Sequence, residues 1–289
     1  MLSYEEKASE CMKNEEYSKA INYYTLCINN GEATTKAYSG RATAYYHNCK
    51  QSNSSDSTSQ MRKVAKDCQD ALKLDAQNYE ASYYLGLSYS EMKDKGDKGL
   101  KIIQEAYQKS LSNAKTYKHY TLPQKIYETL TTMMQDKRLE KIKQSVTDSV
   151  PLFDKVLRVR EAQYHQDIDT LTKNKRVSSK WMQLAKVKLA ERYHRDVENL
   201  VDIFSRGCPD SAIDLEPPSY LCDPISFHLF LEPMVTPSGH SYEKSWLLQH
   251  LEKHDYDPLT RQKIQRDQCY PNYALKQCVD NYLQSKALS

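Results

Sequence analysis

Apolar and small residues recur at helical spacing over most of the chain, and a different pattern begins only near residue 219. Residues 79–92 and 100–111 each have an apolar face, which predicts two helices. Residues 124–143 and 152–169 alternate apolar and charged positions in the same way, and a further helix is predicted from residue 178. Only seven glycines and ten prolines interrupt the 289 residues. The pattern therefore predicts a mostly α-helical protein.

The first 111 residues repeat themselves with a period of about 34 residues, which is typical of stacked helix pairs. Small and aromatic residues recur at corresponding positions in three units: Tyr4, Ala8, Cys11, Ala20, Tyr24 and Cys27; Tyr38, Ala42, Tyr45, Val64, Cys68 and Ala71; Gly86, Tyr89, Gly99, Ile103 and Ala106. A generic helical bundle is the alternative. A polar, Ser-rich insertion at residues 48–60 interrupts the second unit and predicts a loop between its helices.

Residues 112–206 read as a helical spacer. Pro151 predicts a break between two helices, with Asp148 or Ser149 capping the second. The last helix has an apolar seam at spacings of three and four: Trp181, Ala185, Leu189, Tyr193, Val197, Leu200 and Phe204. Such a seam suits packing on a neighbouring helix of the same chain or dimerisation. Gly207, Pro209 and the pair Pro217-Pro218 then predict a linker at residues 207–218.

Residues 219–289 change to strand and turn signals. Residues 234–236 and 240–242 flank the turn 237–239 and predict a β-hairpin. A helix is predicted to follow, with Ser241 as its cap, Glu243 in its first turn and Pro258 after its end. A second helix is predicted to begin at Pro271-Asn272. The apolar faces of these helices are Trp246, Leu247, His250 and Leu251, and Leu275, Val279, Tyr282 and Leu283.

Four motifs occur in order within this region: Asp-Pro-Ile at 223–225, Glu-Pro followed by Gly and Tyr at 232–242, Asp-Pro-Leu-Thr at 257–260, and Pro-Asn with Leu at 271–275. Their order and density resemble the U-box, a relative of the RING domain that has no zinc. An unrelated small α/β domain is the alternative. Zinc is not expected, because Cys222, Cys269 and Cys278 stand singly and cannot complete two tetrahedral sites with the histidines. No cofactor is expected either.

The resemblance implies transfer of ubiquitin from a docked ubiquitin-conjugating enzyme, without a covalent intermediate on this chain. It implies an apolar docking surface formed by Ile225 and Phe227 on a first loop, Pro258 on a second and His250 on the helix between. Arg261 matches the cation that bridges conjugating enzyme and ubiquitin in the family, a role that suits a rigid guanidinium. For each residue, packing within the domain is the alternative.

Composition limits the other functions. The formal net charge of +3 is spread along the chain without a basic block, which disfavours nucleic-acid binding. The N-terminal residues do not resemble a signal peptide, and no apolar run is long enough to span a membrane. The eight cysteines lack the spacing of a disulfide framework, which favours reduced thiols. We therefore expect the protein in the cytoplasm, and the nucleus is the alternative.

Taken together, helical repeats, spacer and U-box resemble the chaperone-associated U-box ubiquitin ligases. That family implies a homodimer, misfolded clients and a tetratricopeptide groove that grips the acidic C-terminal tails of heat-shock chaperones through lysines and asparagines. Here those clamp positions hold Glu5, Ser9, Gly40, His47 and Glu80. The sequence therefore predicts the groove without its clamp.

The candidate residues of this groove are Lys7, Lys36, Arg41, His47, Tyr83 and Tyr84. The two tyrosines suit an apolar wall, and the cations suit a peptide carboxylate. Two alternatives to a chaperone-directed ligase stay open. One is a non-enzymatic adaptor or co-chaperone, and the other is a ligase whose repeats bind a partner that is not a chaperone.

Overall fold

The computed structural model of the protein describes residues 3–52, 57–92, 95–113, 121–173, 179–205 and 217–288. It divides into two compact units: Met1–Met133 together with Ser219–Ser289, and Met134–Pro218. No helix within the described ranges is both long and apolar enough to cross a lipid bilayer.

Three consecutive helix pairs form the N-terminal part of the first unit, as the periodicity predicts. The helices are α1 Tyr4–Lys13, α2 Tyr17–Asn29, α3 Thr35–Ser52, α4 Ser57–Leu74, α5 Tyr79–Ser90 and α6 Gly96–Asn113. Each helix packs on the next, and the first helices of successive pairs also contact each other, α1 with α3 and α3 with α5. Fully buried alanines such as Ala8, Ala20 and Ala37 let the helices approach closely.

The Ser-rich insertion differs from its prediction as a loop. Its first part extends α3 to Ser52, and its last part, from Ser57, begins α4. Residues 53–56 lie outside the described ranges. Met61 at 1% exposure anchors the start of α4 in the core, so packing overrides the weak helix propensity of serine and asparagine.

Gly40 on α3 is required by close packing, since the phenol of Tyr24 lies directly against it. A Cβ at position 40 would lie 2.4 Å from Cζ and 2.5 Å from the hydroxyl of Tyr24. That ring is itself only 3% exposed and has little room to move. The Tyr24 phenol thus fills the space that a side chain at position 40 would occupy.

Arg41, the next residue, ties α3 to α4. Its Nε and Nη2 donate to Oδ2 and Oδ1 of Asp67, each over 2.7 Å. Both side chains are largely buried. A bidentate pair of this kind uses the guanidinium inside the helix stack rather than on its surface.

The helical spacer continues with α7 Thr121–Ser149, α8 Pro151–Lys173 and α9 Ser179–Ser205. The predicted break at Pro151 is present, but Val150 rather than Asp148 or Ser149 immediately precedes α8. Within the second unit, α7, α8 and α9 share one apolar core of buried residues: Ile142, Val146, Phe153, Leu157, Val197 and Val201. Phe153 and Phe204 pack edge to face, with ring centroids 5.4 Å apart.

The predicted seam of α9 is packed over half its length. Tyr193, Val197, Leu200 and Phe204 belong to the core of the second unit. Towards the start of the helix, Trp181, Leu184 and Val187 are 58%, 53% and 54% exposed. The C-terminal half of the helix is therefore packed, whereas its N-terminal half exposes three large apolar side chains and only partly buries the predicted seam residues Ala185 and Leu189.

The C-terminal region forms a small antiparallel sheet in the order β2-β1-β3, together with two helices. The elements are β1 Pro233–Val235, β2 Ser241–Glu243, α10 Lys244–Lys253, β3 Tyr270–Pro271 and α11 Tyr273–Leu288. Met234 pairs with Tyr242 across the hairpin and with Pro271 on the other side. The predicted hairpin is confirmed, whereas β3 was not predicted.

Boundaries in this region differ from the prediction. Ser241 lies in β2, and Glu243 rather than Ser241 precedes α10. The helix ends at Lys253, well before Pro258. At the start of α11, the side chain of Asn272 accepts the N–H of Leu275 over 3.0 Å, so the predicted Pro-Asn signal is a cap rather than a first turn.

We expect Gly40→Ala to lower the free energy of unfolding. Overpacking against Tyr24 costs about 1–3 kcal/mol, more than the gain of up to about 1 kcal/mol from the better helix former. Gly96→Ala is the matched control, because no atom lies within 4 Å of a Cβ at that helical position. Urea unfolding of both variants measures the difference, and equal stability would contradict the packing argument.

Candidate functional site

The first loop of the C-terminal domain is built around the carboxylate of Asp223, which is fully buried. Its Oδ2 accepts the N–H groups of Ile225 at 3.2 Å and Ser226 at 2.7 Å. Its Oδ1 accepts the N–H of Glu243 on β2 at 2.9 Å. One side chain therefore fixes the loop backbone and attaches it to the sheet.

The second loop has the same construction around Asp257, also fully buried. Its Oδ1 accepts the N–H groups of Leu259 and Thr260, both at 2.9 Å. In both loops the residue four positions after the aspartate donates its N–H to the aspartate carbonyl, over 2.8 Å for Phe227 and 3.0 Å for Arg261. The two Asp-Pro loops are thus two copies of one turn.

Both turns end on a residue in the left-handed region of backbone space. Phe227 has a φ of 60° and Arg261 a φ of 61°. Neither is glycine, so each conformation is strained and persists because the surrounding hydrogen bonds determine it. Strain at these two positions directs two side chains outward, and Phe227 is 79% exposed.

Three hydroxyls complete the shell of Asp257. Thr236 and Ser238 donate to Oδ2, and Tyr242 donates to Oδ1, each over 2.7 Å. Burial by itself raises the pKa of this carboxyl, but the hydrogen bonds from Thr260 N–H and the hydroxyls outweigh it and hold the pKa below its usual value. The second loop is therefore fixed around an ionised carboxylate.

The remaining predicted residues of the surface differ in exposure. Pro258 is partly buried, whereas its neighbour Leu259, which was not predicted from the sequence, is 53% exposed. Arg261 is exposed and lies over the ring of Tyr256, 4.8 Å from its centroid. Ile225 instead packs partly on the domain core. His250 is half-buried, with Nε2 2.8 Å from the carbonyl oxygen of Tyr256, so it supports the second loop from within.

Glu243 is a fully buried carboxyl at the junction of sheet and loop. It accepts the N–H of Leu231 at 2.8 Å and the N–H of Glu232. Tyr107, on α6 of the helical repeats, donates a further hydrogen bond to it. Burial raises the pKa of Glu243 to about 7, even though these hydrogen bonds lower it. The repeats and this domain are therefore in direct contact through a desolvated polar group.

The residues at the clamp positions interact with other groups of the same chain. Glu5 accepts Lys36 Nζ at 2.9 Å and the Thr34 hydroxyl at 3.0 Å. His47 lies 3.1 Å from the Tyr84 hydroxyl, and burial lowers its pKa. Burial raises the pKa of Glu80, partly offset by the charge of Lys125. The charges on this face are therefore mixed, with two carboxyl groups among them.

The substitute groove residues are mostly engaged elsewhere. Lys7 lies over the ring of Tyr4, 5.6 Å from its centroid. Arg41 is paired with Asp67, as described above. Tyr83 and Tyr84 are only 2% and 4% exposed, so they offer a peptide little surface. Within the described residues, no three His, Cys, Asp or Glu side chains are close enough to hold a metal ion.

Comparison with known proteins gives a family match for the C-terminal region and a similar protein over most of the chain. Residues 217–288 match the U-box domain. The chain is similar to E3 ubiquitin-protein ligase CHIP of Arabidopsis thaliana, with 28% identity over 284 residues, or 96% of this chain and 91% of that protein. It is also similar to U-box domain-containing protein 34 of the same plant, with 29% identity over 86 residues, or 30% of this chain and 11% of that protein.

A third relative is similar over a shorter segment. Ubiquitin conjugation factor E4 of Schizosaccharomyces pombe is 34% identical over 70 residues, which cover 24% of this chain and 7% of that protein. Like U-box domain-containing protein 34, it matches only about a quarter to a third of this chain. The similarity to the Arabidopsis CHIP protein, by contrast, extends through the helical repeats and spacer.

Proposed function

We propose that this chain, which has a U-box domain at residues 217–288 and CHIP-like similarity along most of its length, is a ubiquitin-protein ligase. The observation that carries the proposal is the pair of Asp-Pro loops. They are rigid, alike in hydrogen bonding, and present Phe227, Leu259 and Arg261 to solvent. Large apolar side chains such as Phe227 and Leu259, when exposed on fixed loops, mark a surface that binds a partner.

The partner is a ubiquitin-conjugating enzyme loaded with ubiquitin. Phe227 and Pro258, with Leu259 beside them, form the apolar contact, and Ile225 and His250 support it from the domain side. Arg261 supplies donors to the bound pair, held in place by its left-handed backbone and the Tyr256 ring. The thioester belongs to the conjugating enzyme, so this chain accelerates transfer by orientation and needs no nucleophile.

The repeats bind the protein that is to be ubiquitylated. We propose that the ligand they recognise is not an acidic chaperone tail. A ligand carboxylate within about 4 Å of Glu80 would be repelled by about 1–4 kcal/mol, depending on solvent exposure. Glu5 already takes Lys36 as its partner, and Arg41 is committed to Asp67. Chaperone-linked quality control is the second candidate, favoured by the similarity to the Arabidopsis CHIP protein.

The second unit supports a homodimer. Its helices expose several large apolar side chains by more than half: Leu152, Val159, Trp181, Leu184, Val187 and Ile203. Trp181, Leu184 and Val187 recur every three residues near the start of α9, whose other end is packed in the core of the unit. A second copy of the same helix would offer a complementary apolar stripe, as in two-stranded helical association.

Phe227→Ala and Pro258→Ala should each abolish ubiquitin chain formation while leaving the fold intact, because each removes apolar contact area from one of the two loops. Arg261→Ala should retain binding of the conjugating enzyme but slow discharge of its ubiquitin. Tyr270→Ala is the control, since Tyr270 is 64% exposed in the same domain but lies on neither loop. Gel assays of chain formation measure the effect. Unchanged activity in Phe227→Ala and Pro258→Ala would refute the docking surface.

A peptide ending in Glu-Glu-Val-Asp should not bind the full chain with micromolar affinity, because Glu80 repels its carboxylates. Glu80→Lys removes that repulsion and supplies a cation, so the variant should bind the peptide more tightly than the wild type. High salt should weaken this binding because it screens the added attraction. Calorimetric titration of both proteins measures this. Salt-sensitive micromolar binding by the wild type would instead favour the chaperone-linked function.

Light scattering at micromolar concentration should give about twice the 33.6 kDa mass of the chain. The double variant Leu184→Glu, Val187→Glu should be monomeric, because it places charges on the exposed apolar half of α9. Lys141→Glu, which introduces the same residue at an exposed polar position on α7 instead of α9, should stay dimeric. A monomeric wild type would exclude the dimer.

A further inference from the structure

A tyrosine from outside the U-box holds the loop that carries Phe227. Tyr127 lies on α7, in the part of that helix that belongs to the first compact unit. Its hydroxyl donates to the carbonyl oxygen of Leu229 over 2.9 Å and lies 3.5 Å from the Ser226 hydroxyl. The two contacts lie on either side of Phe227 in the sequence.

The Tyr127 side chain is fully buried, so it cannot itself touch a docked partner. Its ring lies beside His228, with centroids 6.2 Å apart. Phe227, between Ser226 and His228, is by contrast 79% exposed. The tyrosine therefore supports the inner side of the loop, and the phenylalanine occupies its outer side.

A second tyrosine reaches the same loop by another route. Tyr107 packs beside Tyr127, with ring centroids 5.7 Å apart, and its hydroxyl donates to Glu243 and lies 3.2 Å from the Ser245 hydroxyl. The N–H of Glu243 in turn donates to Asp223, whose carboxylate fixes the loop backbone. Gln124 on α7 adds a hydrogen bond to Gln249 on α10. Several separate polar contacts thus join α6 and the start of α7 to the U-box.

We propose that Tyr127 is a positioning residue of the ligase: it holds the first Asp-Pro loop in the conformation that binds the conjugating enzyme. The strained φ of Phe227 makes this support necessary, because a residue at 60° returns to ordinary backbone angles when its restraints weaken. If only a fraction of the molecules has the competent loop, the apparent affinity for the enzyme falls by that fraction. This inference rests on the proposed ligase function.

Tyr127→Phe removes the hydroxyl and keeps the ring. Because the hydrogen bond to the Leu229 carbonyl is lost, we expect the KM for ubiquitin-loaded conjugating enzyme to rise about 3- to 10-fold. The kcat should stay within about twofold of the wild type. Tyr89→Phe is the matched control. Tyr89 is also buried, and its hydroxyl accepts Gln69 Nε2 over 2.9 Å within the repeats, away from the U-box.

The assay uses the full chain and whichever conjugating enzyme, from a panel, is most active with the wild type. Amide hydrogen exchange over residues 222–230 is measured on the same proteins, and exchange there should accelerate in Tyr127→Phe but not in Tyr89→Phe. An unchanged KM, a fall in kcat alone, or equal shifts in both variants would overturn the proposal. A wild type inactive with every conjugating enzyme would overturn the ligase function itself.

Should Tyr127→Phe fail to fold, Tyr107→Phe serves as the second variant, because it leaves Tyr127 in place and loosens Asp223 only through Glu243. It should raise the KM in the same direction, with faster exchange over residues 222–230. A Tyr107→Phe protein that matches Tyr89→Phe in both measurements would also overturn the proposal.

Discussion

Two buried aspartate carboxylates determine the shape of the proposed docking surface. Asp223 and Asp257 each gather backbone N–H groups of their own loop and bind it to the rest of the domain. A buried carboxylate is stable only when its oxygens accept hydrogen bonds. A change in either loop would therefore leave a buried charge without donors, which is costly. The conformation of both loops is therefore fixed by these two carboxylates and their donors.

The sequence predicts the elements of this domain well where the signal is local. The hairpin and both helices follow from alternation, a turn and apolar faces. The start of α10 was predicted too early. Glu243 was expected in the first turn of the helix, but it precedes the helix, and its carboxyl accepts hydrogen bonds from the N–H groups of Leu231 and Glu232. The left-handed residues also escaped prediction, since Phe227 and Arg261 are not the glycines that usually mark such a conformation.

In the repeats, periodicity predicts the helix pairs but not which charges stay free. Arg41 is close in sequence to the groove, yet its partner Asp67 lies on the next helix, and no local pattern reports that pair. The Ser-rich insertion is the opposite case, since a weak helix propensity was overridden by packing at Met61. In both cases contacts distant in sequence decided the outcome, and those contacts are what a single sequence does not display.

The start of α7 connects the two regions that the proposed function needs. The hydroxyl of Thr129 is hydrogen-bonded to the hydroxyl of Tyr83 in the third helix pair, over 2.9 Å. The hydroxyl of Tyr127 donates to the carbonyl oxygen of Leu229 in the U-box. A shift of this helix relative to the repeats would therefore strain one contact or the other, because packed cores change between discrete arrangements rather than deform continuously. The loop that presents Phe227 is for that reason anchored to the repeats as well as to its own domain.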